Sequence, residues 1–266
     1  MSVFFDDKIV WITGASSGIG ESLAYEFARQ GAKLILSARN EKELNRVKDN
    51  CSSTPENIFI LPLDLTLSAD IESRSMIAMA KWGRIDYLVN NAGIASRGPV
   101  VDTEMEVYRK IMETNFFGSI ALTKAVLPAM LSAKKGHIVV VSSMAGKLGS
   151  PLLSTYSSSK HALHGFFDAL RSEIYQDNIS VTLICPGYIH TNISYNAVAA
   201  DGSKFGKMDE NQANGMSPDE CAKRIVEAIY HEKQEVYMGG KEVLGVYLKR
   251  FFPRILSKIL RGQMPK

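Results

Sequence analysis

Cysteine is scarce in this chain of 266 residues, and its three copies stand far apart, at Cys51, Cys185 and Cys221. Their number is odd, and no pair has the close Cys/Cys or Cys/His spacing of a disulfide framework or a zinc motif. The sequence therefore predicts no metal site. It favours a reducing compartment, which we expect to be the cytoplasm.

Three further absences narrow the class of protein. The chain has no strong charge bias, with 31 Lys and Arg against 28 Asp and Glu, so a basic surface for nucleic acid is not expected. No apolar run reaches the roughly 18 residues of a membrane span. The first residues carry acids where a signal peptide carries basic residues. With 45% hydrophobic residues the chain can bury a large core, which excludes a disordered or fibrous protein.

Short apolar runs alternate with helical patterns along the chain. The seven predicted strands are 9–13, 33–37, 58–63, 87–90, 137–142, 180–185 and 235–238. The nearly continuous apolar run at 138–141 is typical of a strand buried on both faces of a parallel sheet. The pattern predicts an α/β fold, a Rossmann-type doubly wound sheet of seven mainly parallel strands with helices on both faces, in a single domain 1–266.

Two segments depart from this alternation. Residues 188–217 are rich in Asn, Ala, Gly and Ser and show little periodicity, which predicts a long loop over the substrate. Residues 241–266 carry seven basic residues against one acid, with apolar residues every three or four positions. This amphipathic segment is compatible with peripheral contact with an anionic membrane. Packing of its apolar face on the body or on a subunit partner is the alternative.

A glycine-rich loop, Thr13-Gly14-Ala15-Ser16-Ser17-Gly18-Ile19-Gly20, lies between the first predicted strand and the helix expected to begin near Glu21. Glycines allow the backbone to turn tightly and to approach a pyrophosphate closely. The start of a helix adds free N–H groups and a partial positive charge. A plain Gly/Ser turn remains open as an alternative at this point, because glycine motifs often occur without a ligand.

The loop spacing, G-x-x-x-G-x-G, resembles that of the short-chain dehydrogenase/reductase family, whose members bind NAD or NADP on one Rossmann-type domain. Asn90-Asn91-Ala92-Gly93, after the fourth strand, resembles the family's N-N-A-G signature. A resemblance to its Asn-Ser-Tyr-Lys tetrad is carried by Asn115, Ser143, Tyr156 and Lys160. The Met-Gly-Gly-Lys and Lys-Arg-Phe-Phe-Pro segments near the carboxyl end resemble the branch of dehydrogenase/reductase member 7-like and 11-beta-hydroxysteroid dehydrogenase-like enzymes.

The second strand bears on the choice of cofactor. An NAD site typically has an acidic residue about 20 residues after the glycine loop. Here Ala38 stands in that place, and Arg39 offers a guanidinium suited to a 2′-phosphate, so NADP(H) is favoured. The residues that the resemblance assigns to cofactor binding are Gly14, Ser16, Ser17, Gly18, Ile19, Gly20, Arg39, Asp64, Leu65, Asn91, Ala92, Gly93, Tyr156, Lys160, Pro186, Gly187, Ile189 and Thr191.

The tetrad implies an acid–base mechanism. Tyr156 and Lys160 are four residues apart and share one helix face. The Lys160 ammonium is expected to lower the pKa of the phenol and to hold the nicotinamide ribose, leaving Tyr156 as general acid or base. Ser143 is expected to stabilise the substrate oxygen, and Asn115 to relay protons. A second Tyr-x-x-x-Lys pair, at 237 and 241, encloses two glycines that argue against a helix.

The family resemblance says less about the substrate. It places the substrate between segment 188–215 and loops near 96 and 145–154. The apolar residues of these segments are Ile94, Met144, Leu148, Leu152, Leu153, Tyr188, Ile189 and Ile193. They favour a lipophilic carbonyl or alcohol, such as a steroid-like or xenobiotic ketone. A 3-oxoacyl thioester reductase and a non-catalytic NADP-binding sensor remain as alternatives. By family analogy, helical segments 102–132 and 154–177 predict a homodimer or homotetramer.

Overall fold

Seven strands form the central sheet of the computed structural model, which describes residues 4–262. They are β1 (Ile9–Thr13), β2 (Lys33–Ser37), β3 (Ile58–Ile60), β4 (Tyr87–Asn90), β6 (Gly136–Val141), β7 (Ile179–Pro186) and β9 (Glu235–Met238). Their order is β3-β2-β1-β4-β6-β7-β9, and every pairing is parallel. The predicted Rossmann-type sheet is confirmed. The strand order reverses between β1 and β4, where the ends of parallel strands leave a crevice for a ligand.

The helices cover both faces of the sheet. They are α1 (Gly18–Arg29), α2 (Glu41–Asp49), α3 (Ser68–Trp82), α4 (Met105–Met112), α5 (Gly118–Ala133), α6 (Ser154–Glu173), α7 (Glu210–Ala213), α8 (Pro218–Tyr230), α9 (Val243–Phe251) and α10 (Pro253–Arg261). Side chains of β1 alternate between two cores. Ile12 packs with Phe27 of α1 and Ile225 of α8, while Trp11 packs with Val126 of α5 and Phe167 of α6.

Several element boundaries differ from the predicted ones. Strand β3 ends at Ile60, two residues before Pro62, which has no N–H to donate to a ladder. Helix α1 begins at Gly18, three residues before the expected start near Glu21. Segment 188–217 is not wholly irregular, because it contains α7 and strand β8 (Val198–Ala199). Strand β8 pairs in parallel with β5 (Ser96–Arg97), and strands of two residues are too short to produce a periodic pattern.

The predicted helix over 102–132 begins at Met105 and contains a π-helical turn, Glu113–Phe117, between α4 and α5. The continuous helix Met105–Ala133 is long and apolar enough to cross a membrane by length and composition. However, Leu122, Val126 and Met130 are buried against the sheet. The apolar character of this helix is therefore accounted for in part by its place in the core.

The carboxyl-terminal segment forms α9 and α10, and its last residues, 263–266, lie outside the described part of the chain. Leu256 is buried. Six large apolar side chains are instead between 48% and 67% exposed, namely Leu244, Tyr247, Phe251, Phe252, Ile255 and Ile259. Packing on the described body of the same chain therefore does not cover most of this apolar face.

Candidate active site

The glycine-rich loop folds as a cradle between β1 and α1. A Cβ on Gly20 would lie 2.2 Å from the carbonyl oxygen of Gly14, so no side chain fits there. Gly18 has φ +58°, a left-handed conformation that glycine adopts readily. Ser17 is the N-cap of α1, and its side chain makes no capping hydrogen bond. The first N–H groups of α1 therefore remain for an anionic ligand, and the cradle fits a pyrophosphate.

The N-N-A-G segment braces this cradle from β4. The Asn91 side-chain amide donates to the carbonyl oxygen of Thr13 at 2.9 Å. The Thr13 hydroxyl accepts from the backbone N–H groups of Asn91 and Ala92, both at 3.1 Å, and donates to Val89 O. Thr13 was not predicted as a site residue, although it opens the glycine motif. The sequence feature that could have identified Thr13 is its position as the last residue of β1.

Arg39 lies exposed at the end of the cleft that follows β2. It forms no ion pair with residues 4–262. The neighbouring Arg46, which sequence reasoning missed, is bound to Glu21 and Glu43, both at 2.7 Å. Arg39 is therefore the more available of these two cations for an anionic group. Arg39 could be identified from the sequence because it directly follows a strand, whereas Arg46 lies inside α2.

Asp64 lies at the same end, after β3, and also lines the cleft. Its carboxylate accepts from the Thr66 N–H at 2.9 Å and from the Thr66 hydroxyl at 2.8 Å. Burial raises the pKa of Asp64, but these hydrogen bonds and the charge of Arg39 together hold it below its usual value. The residue is therefore ionised at neutral pH, and part of its hydrogen-bonding capacity is used within its own turn.

Ser143, Tyr156 and Lys160 meet at the other end of the cleft. Ser143 follows β6, and the other two lie on α6. The Lys160 ammonium donates to Val141 O at 2.9 Å and lies 5.8 Å from the centroid of the Tyr156 ring. The Ser143 hydroxyl accepts from Ala145 N at 3.1 Å and lies close enough to the Tyr156 phenol to lower its pKa. The hydroxyl of neighbouring Ser142 is directed to α6, 3.0 Å from His164 Nε2.

Burial controls the protonation of this pair. It raises the pKa of the Tyr156 phenol to about 12, and the nearby Ser143 hydroxyl offsets this rise only in part. It also lowers the pKa of the Lys160 ammonium to about 8. The expected lowering of the Tyr156 pKa by Lys160 is thus not the dominant effect among the described residues. The phenol holds its proton at neutral pH, as a proton donor must.

Asn115 is fully buried in the π-helical turn, a local distortion that is frequent at functional sites. Its side-chain oxygen accepts from Ile94 N at 2.8 Å. Its amide donates to Ile94 O at 2.9 Å and to the Ser159 hydroxyl at 3.0 Å. A Cβ on Gly93 would lie 3.2 Å from this oxygen and 3.3 Å from Lys160 Nζ, so Asn115 and Lys160 pack closely against the backbone of Gly93.

The segment after β7 completes the cleft. Thr191 covers the glycine loop, because its Cγ2 lies 3.1 Å from where a Cβ of Gly18 would stand. Gln212 donates to Ile189 O at 2.9 Å and holds this segment in place. Among the predicted apolar substrate residues, Ile94, Ile189 and Ile193 line the cleft. The remaining five do not line it: Met144, Leu148, Leu152, Leu153 and Tyr188.

Almost all predicted site residues line this one cleft of about 1270 Å³. The exceptions are Gly20 and Asn115, which support it from behind. The second Tyr-x-x-x-Lys pair is elsewhere, since Tyr237 lies in β9 and its phenol donates to Glu235. The arrangement thus provides an anion cradle at one end and a proton donor at the other.

Comparisons with known proteins point to one family. A family model described as short chain dehydrogenase matches residues 8–202. Dehydrogenase/reductase SDR family member 7B of Bos taurus is 41% identical over 273 residues, covering 100% of this chain and 84% of that protein. Dehydrogenase/reductase SDR family protein 7-like of Drosophila melanogaster is 42% identical over 264 residues, covering 97% of this chain and 81% of that protein.

Solved structures share the fold. A short chain dehydrogenase/reductase from Burkholderia phymatum, in complex with NAD, superposes with a TM-score of 0.83 at 23% identity, over 94% of this chain and 95% of that chain. The closed form of a serine dehydrogenase complexed with NADP+ superposes with a TM-score of 0.77 at 29% identity, over 87% of this chain and 94% of that chain. Similar folds therefore hold either nicotinamide dinucleotide.

Proposed function

The chain belongs to the short-chain dehydrogenase/reductase family, and on that premise we propose that it interconverts a carbonyl compound and a secondary alcohol with NADP(H). One observation carries the proposal. The cleft connects the open amino terminus of α1 with the cluster of Ser143, Tyr156 and Lys160. A dinucleotide bound with its pyrophosphate on α1 has its reactive end directed toward that cluster.

The proposed proton chemistry starts from Tyr156. The bound nicotinamide supplies the hydride chemistry, and a proton must reach the carbonyl oxygen to complete reduction. The phenol is protonated at neutral pH and can give its proton to that oxygen, whereas in alcohol oxidation the phenolate takes the proton back. Ser143 donates a hydrogen bond to the same oxygen, where negative charge develops.

Lys160 and Asn115 support this step. Below a pH of about 8 the Lys160 ammonium is charged, so it can bind ribose hydroxyl groups and stabilise a phenolate at Tyr156 electrostatically. Asn115 holds the backbone of Ile94 and the hydroxyl of Ser159. Through these hydrogen bonds it fixes the part of the cleft wall that lies beside Lys160. We assign to Asn115 the proton-relay role of the family tetrad.

A preference for NADP(H) is proposed from the cation at the adenosine end. Arg39 carries a guanidinium without an ion pair to any residue of 4–262, and a 2′-phosphate can accept two parallel hydrogen bonds from it. Asp64 also lines the cleft and interacts electrostatically with Arg39, but its turn with Thr66 already uses part of its carboxylate. Repulsion from Asp64 therefore weakens the phosphate contact only in part.

For the substrate we propose a lipophilic ketone or alcohol. Ile94, Ile189 and Ile193 support this choice, although polar side chains such as Asn196 and Lys204 line the same cleft. A 3-oxoacyl thioester reductase is the second enzymatic candidate. Titration of cofactor fluorescence with NADPH and NADH, followed by a panel of steroid, xenobiotic and thioester carbonyls, tests both. Tight NADPH binding without turnover of any of them favours a non-catalytic NADP-binding sensor.

We also propose that the carboxyl-terminal segment contacts an anionic membrane surface. The exposed apolar side chains of α9 and α10 are interleaved with basic residues, as in helices that lie in a lipid interface. Co-sedimentation with phosphatidylserine-containing vesicles is expected to fall for Phe251→Ser with Ile255→Ser, and to persist for Tyr175→Ser, which changes an exposed aromatic residue elsewhere. Equal sedimentation of both variants, or none of the unaltered chain, contradicts the proposal. A subunit contact instead predicts a change in oligomeric mass for the first variant.

A further inference from the structure

A second cluster of chemically versatile side chains lies behind the catalytic end of the cleft. His164 comes from α6, Cys185 from the end of β7 and Glu235 from β9. His164 and Cys185 are buried, and Glu235 reaches partly into solvent. One ligand atom from each lies within 4.8 Å of the other two. The proposed reaction uses none of these three groups.

One pair of these atoms has the spacing of two ligands in a tetrahedral metal site. Zinc binds nitrogen, oxygen and sulfur at about 2.0 to 2.3 Å, which separates adjacent ligand atoms by about 3.3 to 3.7 Å. His164 Nδ1 is 3.4 Å from Glu235 Oε2. The Cys185 sulfur is 3.7 Å from the other ring nitrogen, Nε2. An ion bound through Nδ1 therefore requires the Cys185 side chain to turn from Nε2 toward Nδ1, and the three ligand atoms start within 4.8 Å of one another.

The hydrogen bonds of His164 leave one ring nitrogen without a donor or acceptor. Ser142 uses its hydroxyl proton on Lys160 O, at 3.3 Å, so its oxygen can accept the proton of His164 Nε2, 3.0 Å away. The other nitrogen, Nδ1, is buried and has no hydrogen-bond partner among residues 4–262. In this tautomer the Nδ1 lone pair faces the carboxylate of Glu235. Two such groups repel each other unless a cation lies beside them, and the Lys147 ammonium, 2.6 Å from Glu235 Oε2, is the cation that a metal would replace there.

We propose that His164, Cys185 and Glu235 bind a divalent transition metal of the Zn²⁺ class, with water as the fourth ligand. A nitrogen, a sulfur and an oxygen are the donor types that zinc accepts, and a carbonyl-lined site for calcium or magnesium is not present in this donor set. The hydrogen bond from Nε2 to Ser142 orients the imidazole, as outer partners do for metal-bound histidines.

One proton and one lysine compete with the metal. Burial raises the pKa of the Cys185 thiol to about 12, so binding must release that proton and is expected to strengthen as pH rises. Glu235 needs no deprotonation. Although burial opposes ionisation, His164, Lys147 and Tyr237 together lower its pKa to about 2. The Lys147 ammonium lies 2.6 Å from Glu235 Oε2 and must turn aside for the ion. It is also partly exposed and flexible, so this displacement is feasible.

The test uses Zn²⁺ and Co²⁺ with the full chain. Competition against a chromogenic chelator is expected to give one high-affinity Zn²⁺ per chain, and Co²⁺ is expected to show a thiolate charge-transfer band. Cys185→Ser and His164→Gln should each weaken Zn²⁺ binding at least about tenfold and reduce or remove the band. Cys221→Ser is the matched control, because Cys221 is equally buried but lies on α8 away from the cluster. Lys147→Met should tighten binding.

Thermal unfolding provides a readout that is independent of enzyme activity. A metal joining α6, β7 and β9 binds only the folded chain, so Zn²⁺ should raise the Tm of the unaltered chain and of Cys221→Ser, but not of Cys185→Ser. Equal Zn²⁺ affinity of the Cys185 and Cys221 variants overturns the proposal, as does the absence of micromolar binding by the unaltered chain. If the unaltered chain does not bind Zn²⁺, a proton on His164, rather than a metal, explains its contact with Glu235. If one variant fails to fold, the thiolate band in the Co²⁺ spectra of the unaltered chain and of Lys147→Met tests the proposal instead, and its absence from both contradicts it.

Discussion

Replacement of Arg39 by Ala tests the cofactor assignment directly. The guanidinium stands at the adenosine end of the cleft, after β2, where the residue before it is Ala38 and not an acid. A phosphate on the 2′ position gains hydrogen bonds from it that a 2′-hydroxyl cannot match in strength. The substitution should therefore weaken NADPH binding and leave NADH binding nearly unchanged.

The size of this effect follows from the exposure of Arg39. A hydrogen bond to a charged group contributes about 1.5 to 3 kcal/mol, and screening by water moves an exposed pair toward the lower limit. Because about 1.4 kcal/mol corresponds to a factor of ten, the Kd for NADPH should rise about ten- to thirtyfold. The NADH value should change by less than about twofold, since no phosphate contact is lost.

Fluorescence titration of both cofactors at two ionic strengths measures this difference. Arg109→Ala is a suitable control, because Arg109 borders a neighbouring hollow shared with Arg39 but is paired with Glu106 at 2.9 Å. The preference of the unaltered chain for NADPH should shrink at high salt, as expected of a screened charge contact. Parallel losses for NADPH and NADH in Arg39→Ala refute the 2′-phosphate assignment. So does an equal loss of selectivity in the Arg109 control, which points to general charge attraction.

Three other outcomes test the rest of the site. Tyr156→Phe should lower kcat at least about a hundredfold while the Kd for NADPH changes little; retained turnover contradicts its proton-transfer role. NADPH affinity should fall as pH rises through about 8, where Lys160 loses its charge, and Lys160→Met should bind weakly with a flat pH profile in the same titrations. Gly20→Ala should abolish cofactor binding and lower the Tm by several degrees, because its Cβ meets Gly14 O at 2.2 Å; unaltered calorimetric binding argues against the cradle.

The sheet and most of the cleft could be predicted because their signals are local. Strand β6 is recognisable in the sequence as the continuous apolar run 138–141, and the glycine loop directly follows β1. Parallel strands then bring the residues at their carboxyl ends to the same edge of the sheet without any further information. Hence Asn91, Ser143 and Pro186, which are far apart in sequence, could be placed together before the structure was known.

Features that depend on contacts across the fold could not be predicted in this way. The Tyr156 pKa is an example, because the spacing of Tyr156 and Lys160 on a helix suggested a charge effect, whereas burial dominates it. Desolvation is set by everything that surrounds the phenol, including the distant segments of the cleft, and no local pattern encodes it. The π-helical turn at Asn115 is similar, since a helix with one extra residue in a turn keeps the same apolar composition.

The His164, Cys185 and Glu235 cluster shows how such contacts produce chemistry without a motif. Sequence reasoning excluded a metal site because the three cysteines lack close ligand partners along the chain. The parallel register of β7 and β9 pairs Leu183 with Glu235 and Cys185 with Tyr237, so Cys185 and Glu235 share one sheet face. Helix α6 crosses that face and adds His164. Ligand spacing along a chain predicts a metal site only when one loop or hairpin supplies most of the ligands. A site assembled from three separate elements becomes visible only when the register and the helix packing are known.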